Sequence, residues 1–376
     1  MKVALLCPYS LTEPGGVQGQ VLGLARALGA TGHMAMVLAP ADGPVDSLAD
    51  GLAPGSTVVG LGRSLPIAAN GSVAPVSLDP LAAGRAVRHI NEAGVDVVHL
   101  HEPLAPGAGY FCLFRCPQPK IGTFHRSGAS TAYRLLGPLA RWAAGRLDVR
   151  CAVSPEAMAT ASEALGGTYE IVGNGVETER FAGADPWPTA GPTVLFVGRH
   201  ERRKGLGVLL DAFDILRRQG SMATLWVVGH GPETDSLRAQ TAADAGIAWL
   251  GRIGDRELAS RLRGAHVLCA PSLGGESFGM VLLEAMAART AVVASDIPGY
   301  AFVARGHAQL VAPGDAKALA QALSQAVTDA DEGTGVCSPA ALDRAFAHAS
   351  TWSMTRLAER YVGIYDAALA QQPRAG

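Results

Sequence analysis

Short apolar runs alternate along this chain with stretches of helical periodicity. In the first half, Val3–Cys7, Met34–Ala39, Val95–His99, Ile121–Phe124, Val149–Val153 and Tyr169–Val172 predict strands. Between them, Val17–Ala30, Leu81–Glu92, Thr131–Arg146 and Pro155–Leu165 predict helices. The second half repeats the rhythm with Thr193–Val197, Thr224–Val228, Ile247–Leu250, His266–Ala270, Ala291–Ala294 and Gln309–Val311. These runs are largely apolar throughout rather than at every second position, as a parallel sheet covered on both faces requires. Strand and helix in alternation therefore predict an α/β fold of doubly wound sheets. After Gln309–Val311 only helix is expected, ending in a long stretch over Leu342–Gln371.

The densest cluster of breakers in mid-chain is Gly173–Pro192, with Gly173-Asn174-Gly175, Asp185-Pro186-Trp187-Pro188 and Gly191-Pro192. It reads as a linker between two Rossmann-like domains, 1–172 and 173–352, facing each other across a cleft. The Gly-, Pro- and Asp-rich stretch Ala41–Ser56 predicts a mobile loop. With 376 residues, 48% hydrophobic and 17% charged, the chain can bury two cores and lacks the composition of a disordered protein. A net charge of -2, from 31 basic and 33 acidic residues, argues against a dedicated nucleic-acid binder. Six cysteines without a CxxC spacing lie mostly in apolar stretches and read as buried thiols of a reducing compartment. The apolar start Val3–Cys7 is too short for a signal-peptide core, and no apolar run reaches the ~18 residues of a membrane span. The expected location is cytoplasmic, soluble or peripheral on a membrane.

Four segments carry candidate chemistry. Gly15-Gly16-Val17-Gln18 follows the first strand, where two glycines before a helix let a phosphate approach free N–H groups. An ordinary strand-to-helix turn has the same composition. Gly198-Arg199-His200-Glu201-Arg202-Arg203-Lys204-Gly205 delivers four cations to the C-terminal edge of the second domain's first strand. Open α/β sheets bind ligands at that edge, and Arg forks with a Lys ammonium suit a diphosphate. Gly274-Gly275-Glu276-Ser277-Phe278-Gly279, followed by Met280 and then Glu284, places one carboxylate on a loop and a second inside the next helix. There the N–H groups of Phe278, Gly279 and Met280 would cradle phosphate. Glu276 would accept from sugar hydroxyls and Glu284 from both hydroxyls of a ribose. A plain helix with an acidic first turn is the alternative. In the first domain, His99-Leu100-His101-Glu102-Pro103 and Thr123-Phe124-His125-Arg126-Ser127 each end a strand and would line the cleft. Hydrogen bonding to a sugar or acceptor is the main reading, and zinc held by His99, His101, Glu102 and His125 is the minor one. His33, His266 and Asp96 read as structural.

Taken together, Gly15-Gly16, Arg199 with Lys204, and Glu276-x7-Glu284 resemble the family-4 retaining glycosyltransferases of the GT-B fold over essentially the whole chain. Within that family the likeness is to the actinobacterial phosphatidyl-myo-inositol mannosyltransferases. It rests on Cys7-Pro8-Tyr9-Ser10, Pro14 to Gln18, Asn70-Gly71-Ser72-Val73-Ala74, His99 to Pro103, Thr123-Phe124-His125 and Cys269-Ala270-Pro271 through Gly279. The resemblance implies transfer of mannose from GDP-mannose to phosphatidyl-myo-inositol at the cytoplasmic membrane face, opening phosphatidylinositol mannoside synthesis. It also implies a C-terminal helix, about 353–376, packing back on the first domain. Gly16 would contact the donor diphosphate, and Arg199, Arg203 and Lys204 would neutralise it beside Ser277, Phe278, Gly279 and Met280. Glu276 would hold the mannose and Glu284 the ribose, with Ile253 beside the guanine. Tyr9, Gln18, Asn70 and Ser72 would face the inositol phosphate, and His125 would sit near the reaction centre. No permanently bound cofactor and no essential divalent metal are implied, since the cations can take the metal's part.

The chain departs from the family pattern at Pro75, where an Arg is usual, and at Arg126-Ser127-Gly128, where Thr-Ser-Thr is usual. Leu258 stands in place of a basic residue, and the family's basic amphipathic helix is thinned to Arg85, Arg88 and His89. Most of these changes lie on the acceptor side. A soluble acceptor, such as an inositol derivative or a natural-product aglycone, or a different sugar nucleotide is therefore the alternative. A non-catalytic sugar-binding protein has no use for the cations and paired glutamates. A nicotinamide-dependent oxidoreductase needs a compact GxGxxG, which Gly15-Gly16-Val17-Gln18-Gly19 does not supply.

Overall fold

The computed structural model describes residues 1–13, 15–69, 72–128, 137–242 and 244–371. The chain divides into two units, Met1–Gly175 with Met354–Gly376, and Val176–Ser353. In the first, seven parallel strands run in the order Thr57–Gly60, Met34–Ala39, Lys2–Leu6, Val97–His101, Lys120–Phe124, Val149–Ala152 and Glu170–Ile171. Helices Gly16–Ala30 and Met354–Ala370 cover one face through Val21, Leu24, Leu28, Ala358 and Ile364. Helices Pro80–Glu92, Ala108–Arg115, Gly137–Ala144 and Pro155–Leu165 cover the other through Ala86, Ile90, Leu113, Ala143 and Leu165. Helix starts follow local chemistry: Asp79 accepts from Leu81 N ahead of Pro80, and Ser154 from Ala157 N ahead of Pro155.

The second unit repeats the plan with six parallel strands, Ile247–Gly251, Thr224–Val228, Thr193–Val197, Val267–Ala270, Ala291–Ser295 and Gln309–Val311. Leu209, Phe213 and Leu216 of helix Leu206–Arg218 pack with Leu319 and Leu323 of Ala316–Glu332 on one face. In both sheets the winding direction reverses once, between Lys2–Leu6 and Val97–His101, and between Thr193–Val197 and Val267–Ala270. Ligands of doubly wound sheets bind outside the strand C-termini at such a reversal. All four candidate segments leave the sheets at or beside these two places.

Several elements differ from the sequence reading. The strand expected at Val95–His99 is Val97–His101, because His99 and His101, polar by composition, are buried with ring partners. An antiparallel hairpin, Leu65–Ala69 with Ser72–Val76, was not expected, since Pro66 and Pro75 argue against strands. The stretch Ala41–Ser56 holds a 3-10 turn, Asp46–Ala49, and is anchored through Asp42, which accepts from Ser10 Oγ at 2.6 Å and Ser64 N at 2.9 Å. Most of Gly173–Pro192 belongs to the second unit. Thr178–Ala182 is helical, Trp187 N donates to Ser260 O at 2.9 Å, and the Arg261 guanidinium lies 3.7 Å and 4.5 Å from the Trp187 and Trp226 ring centres. The division falls after Gly175 rather than at 172. Leu342–Gln371 is two helices, Pro339–Ser350 and Met354–Ala370, interrupted where Val176 N donates to Trp352 O at 2.8 Å. The helix expected over Thr131–Arg146 is seen as Gly137–Ala144, and 129–136 lie outside the described residues. All six cysteines are free thiols. No helix among the described residues is long and apolar enough to cross a membrane.

Candidate active site

In the second unit, strand Thr193–Val197 leads to Arg199 and a single 3-10 turn, Arg202–Lys204. Gly205 closes that turn at φ 70°, and a Cβ there would overlap the carbonyl oxygen of Pro271. Glycine thus lets this loop lie against the loop from the adjacent strand, where Leu273 N donates to Arg203 O at 2.7 Å. Glu201 accepts from Arg199 and Arg203 at 3.0 Å each, one on either oxygen. Arg203 Nη1 and Lys204 Nζ both reach Glu276 Oε1 at 2.7 Å. The side chains of Arg199, Arg203 and Lys204 are 47%, 29% and 20% exposed, whereas those of Glu201 and Glu276 are 7% and 14%. The positive groups are the accessible ones, so this surface meets an anion more readily than a cation.

Glu276 sits in a glycine loop, with Gly274, Gly275 and Gly279 at φ 155°, 73° and 100°. Gly279 rests on Tyr300, where a Cβ would come 2.6 Å from Cδ1, and the Tyr300 hydroxyl is held by Ser272 at 2.8 Å. Gly279 also caps helix Met280–Ala287 without a side-chain bond, which gives the cation chain a helix N-terminus beside it. Phe278 is buried against Phe302 and Trp352, so only its backbone can face a ligand, and Ser277 is half-buried next to it. Glu284 lies in the second turn of the helix and is half-buried. Burial pushes its carboxyl up to about 7; Asp255 and Glu177 add to the rise, and Arg180 opposes it. Arg180 is itself paired with Glu177 at 3.2 Å and Asp255 at 3.5 Å, so its charge is shared. Ile253, half-buried, precedes Asp255 by two residues.

In the first unit the reversal point holds a buried polar row. His99 and His101 lie on one face of their strand, and Thr123 and His125 continue it from the next. His99 Nδ1 meets Tyr365 Oη at 2.7 Å and His99 Nε2 meets Thr123 Oγ1 at 2.8 Å. Thr123 Oγ1 also meets Tyr361 Oη at 2.8 Å. His101 Nδ1 lies 2.8 Å from His125 Nε2, and His125 N donates to Glu102 Oε1 at 2.6 Å. Burial lowers His99 to about 3 and His125 to about 4, and takes His101 well below its usual range, so all three are neutral near pH 7. Glu102 is buried at φ 49°, a strained backbone for a non-glycine residue, at the edge where ligands bind. Burial raises its carboxyl, opposed by the His125 N–H and by Arg126. Tyr9 is half-buried in the same surroundings, its hydroxyl raised by burial, then by Glu102 and Cys7, with Arg126 opposing. Gly16 is the exposed first residue of its helix, with open space where a Cβ would stand, so a ligand can reach its backbone.

Some expected residues do other work. Gln18 is buried, and its Nε2 donates to the carbonyls of Ser10 and Glu13 at 3.2 Å each, so its amide shapes this loop. The zinc reading is not supported: His99 uses both nitrogens on hydroxyls, His101 and His125 pair directly, and no metal-holding group of three ligands occurs among the described residues. Asn70 lies outside the described residues; Ser72 begins a strand, and its side chain is likewise outside the description. His33, His266 and Asp96 are structural, bonding Met1 N, Thr193 N and Lys2 N respectively. The sequence reading missed Glu201, Tyr300, Tyr361 and Tyr365. Only Glu201, inside the cation segment, carried a local signal.

Comparison with known proteins agrees with this geometry. A profile described as "Glycosyltransferase Family 4" matches residues 14–180, and one described as "Glycosyl transferases group 1" matches residues 191–329. The chain is 41% identical over 336 residues to the phosphatidyl-myo-inositol mannosyltransferase of Mycobacterium tuberculosis strain ATCC 25618 / H37Rv, covering 86% of each. It is 42% identical over 331 residues to the protein of the same name from Mycolicibacterium smegmatis, covering 86% of this chain and 84% of that one. A solved glycosyltransferase from Rickettsia africae ESF-5 shares the fold, with a TM-score of 0.76 over 99% of both chains at 18% identity. Profiles that between them reach both units, and relatives this similar over most of the chain, lead to one conclusion: the protein belongs to the family-4 glycosyltransferases of the GT-B fold.

Proposed function

We propose that the protein transfers mannose from GDP-mannose to phosphatidyl-myo-inositol, with retention of configuration, at the cytoplasmic face of the membrane. The observation that carries this reading is the accessible cation set Arg199, Arg203 and Lys204, organised by Glu201 and Glu276 ahead of a helix N-terminus. The mannose and the lipid acceptor are supported by the names of the relatives at 41% and 42% identity. Departure of the nucleoside diphosphate concentrates negative charge on its phosphate, and fixed cations lower that barrier in place of a divalent metal. A diphosphate here shares Arg203 and Lys204 with Glu276, which leaves that carboxylate able to accept from mannose hydroxyls. Glu284 is suited to the ribose, Ile253 to the face of the base and the Gly16 N–H to the diphosphate. On this reading His125 serves the transferring sugar and Tyr9 the acceptor. The displacement is front-face: the anomeric C–O bond to phosphate breaks, the acceptor oxygen bonds on the same side, and the departing phosphate takes the acceptor proton. A trapped glycosyl-enzyme adduct would refute it.

A membrane-facing role is supported by the helical layer of the first unit. Leu81, Phe111, Leu139 and Trp142 are exposed there among the exposed Arg88, Arg115, Arg141 and Arg146. Exposed apolar side chains and exposed arginines on the same helical layer suit an anionic lipid surface. One observation favours a soluble acceptor instead. Arg85, of the three basic side chains left on helix Pro80–Glu92, is turned to Leu61 O and Asp79. The test is transfer from radiolabelled GDP-mannose to phosphatidylinositol vesicles against soluble inositol phosphates, with Lys204→Ala as control. Label in the lipid, lost in the variant, supports the proposal. Label only in soluble acceptors supports the second reading, and GDP-mannose left intact overturns the donor assignment.

A further inference from the structure

His101 is buried, and its ring has two nitrogens in different situations. Nδ1 lies 2.8 Å from His125 Nε2, while Nε2 is enclosed and without a partner. The small cavity bordering His101 is lined by Leu6, Pro8, Pro40, Leu61 and Ala82 together with Ser77 and Glu102, and none of these side chains hydrogen-bonds Nε2. Burial keeps both imidazoles neutral, so each carries one N–H. Only one of the two bridging nitrogens can hold the shared proton. If His125 Nε2 held it, His101 would carry its N–H on the enclosed Nε2, an orphaned donor. If His101 Nδ1 holds it, the enclosed atom is a bare lone pair, which is the cheaper group to bury.

We infer that His101 is a positioning residue: it donates from Nδ1 to His125 Nε2 and thereby fixes His125 as the tautomer with its N–H on Nδ1. That nitrogen of His125 has no partner among the described residues and stands at the ligand-binding edge of the sheet, ready to donate to a sugar or acceptor oxygen. The second half of the inference rests on the proposed glycosyl-transfer site. The cost of an orphaned buried donor sets the preference at about tenfold or more. His101 stacks on both neighbours, with ring centres 4.3 Å from His99 and 5.1 Å from His125, which keeps the two bridging rings in place.

The experiment uses the full chain labelled with 15N at imidazole and records long-range 1H–15N correlations of His125. The expected spectrum shows a protonated Nδ1 and an unprotonated Nε2. His101→Asn places an amide donor where Nδ1 stands and should keep that pattern with transfer activity within a few-fold. His101→Leu should mix the tautomers and lower kcat/KM by about tenfold, the effect of one hydrogen bond. A protonated Nε2 in the unsubstituted protein, which needs no variant to fold, overturns the inference. So does an unchanged His125 spectrum in a folded His101→Leu protein. A changed spectrum with unchanged transfer leaves the tautomer assignment standing and overturns the place of His125 in the reaction.

Discussion

Removing the charge of Glu284 should stabilise the protein at alkaline pH while weakening its grip on the donor. The carboxyl has an ordinary value of 4.5 and is pushed up to about 7 by burial, with Asp255 and Glu177 adding to the effect. Below about pH 4.5 it is protonated in both folded and unfolded chains, and Glu284→Gln should change little. Between about 4.5 and about 7 the unfolded chain releases the proton and the folded chain keeps it, so stability falls as pH rises. Above about 7 the full cost is present, at most about 3 kcal/mol from about 1.4 kcal/mol per pH unit. Arg180 cannot cancel it, since it is shared with Glu177 and Asp255. In a unit of this size that cost corresponds to a Tm higher by roughly 5–10 °C for Glu284→Gln at about pH 8.5, and to no gain at about pH 4.5. Differential scanning calorimetry across this range, with nucleotide titration in parallel, checks both halves. Equal Tm differences at the two pH values, or a variant less stable at the higher one, would refute the reasoning. Such a trade of stability for function is expected of Glu284 under the proposed donor-binding role.

Three further outcomes follow from particular contacts. Lys204→Ala should lower transfer by about 10²–10³-fold with an unchanged circular dichroism spectrum, because Glu276 keeps Arg203 as a partner. Gly279→Ala should cost about 2–4 kcal/mol in urea unfolding and weaken nucleotide binding, since φ is 100° and the methyl would meet the Tyr300 ring. Gln20→Ala should cost about 2–3 kcal/mol by the same assay, because Gln20 bonds both the N–H and the carbonyl of Gly175, at 2.8 Å and 2.7 Å, and both would be left unpaired and buried.

The strands, the helices after them and the cation and glycine-loop segments of the second unit were legible along the chain because their signals are local. A continuous apolar run buries on both faces wherever it lies, and the cations from Arg199 to Lys204 follow such a run directly. Glu276 and Glu284 are likewise readable, since one glycine loop and two helical turns fix their spacing. What the tertiary structure decided was which polar groups became partners. Glu276 gathers cations from a neighbouring strand's loop, and Gln18 is drawn inward to carbonyls of its own loop. His99 was read as a possible ligand, but it is a core residue because Tyr365 reaches it from a helix 266 positions later. The breaker-rich segment after Gly175 looked like a free linker, yet Arg261 stacks it onto the second unit through Trp187. Periodicity records how each residue meets water and apolar surface. A buried hydrogen bond or cation–π contact depends on a partner brought close only by packing, so no pattern along the chain can announce it.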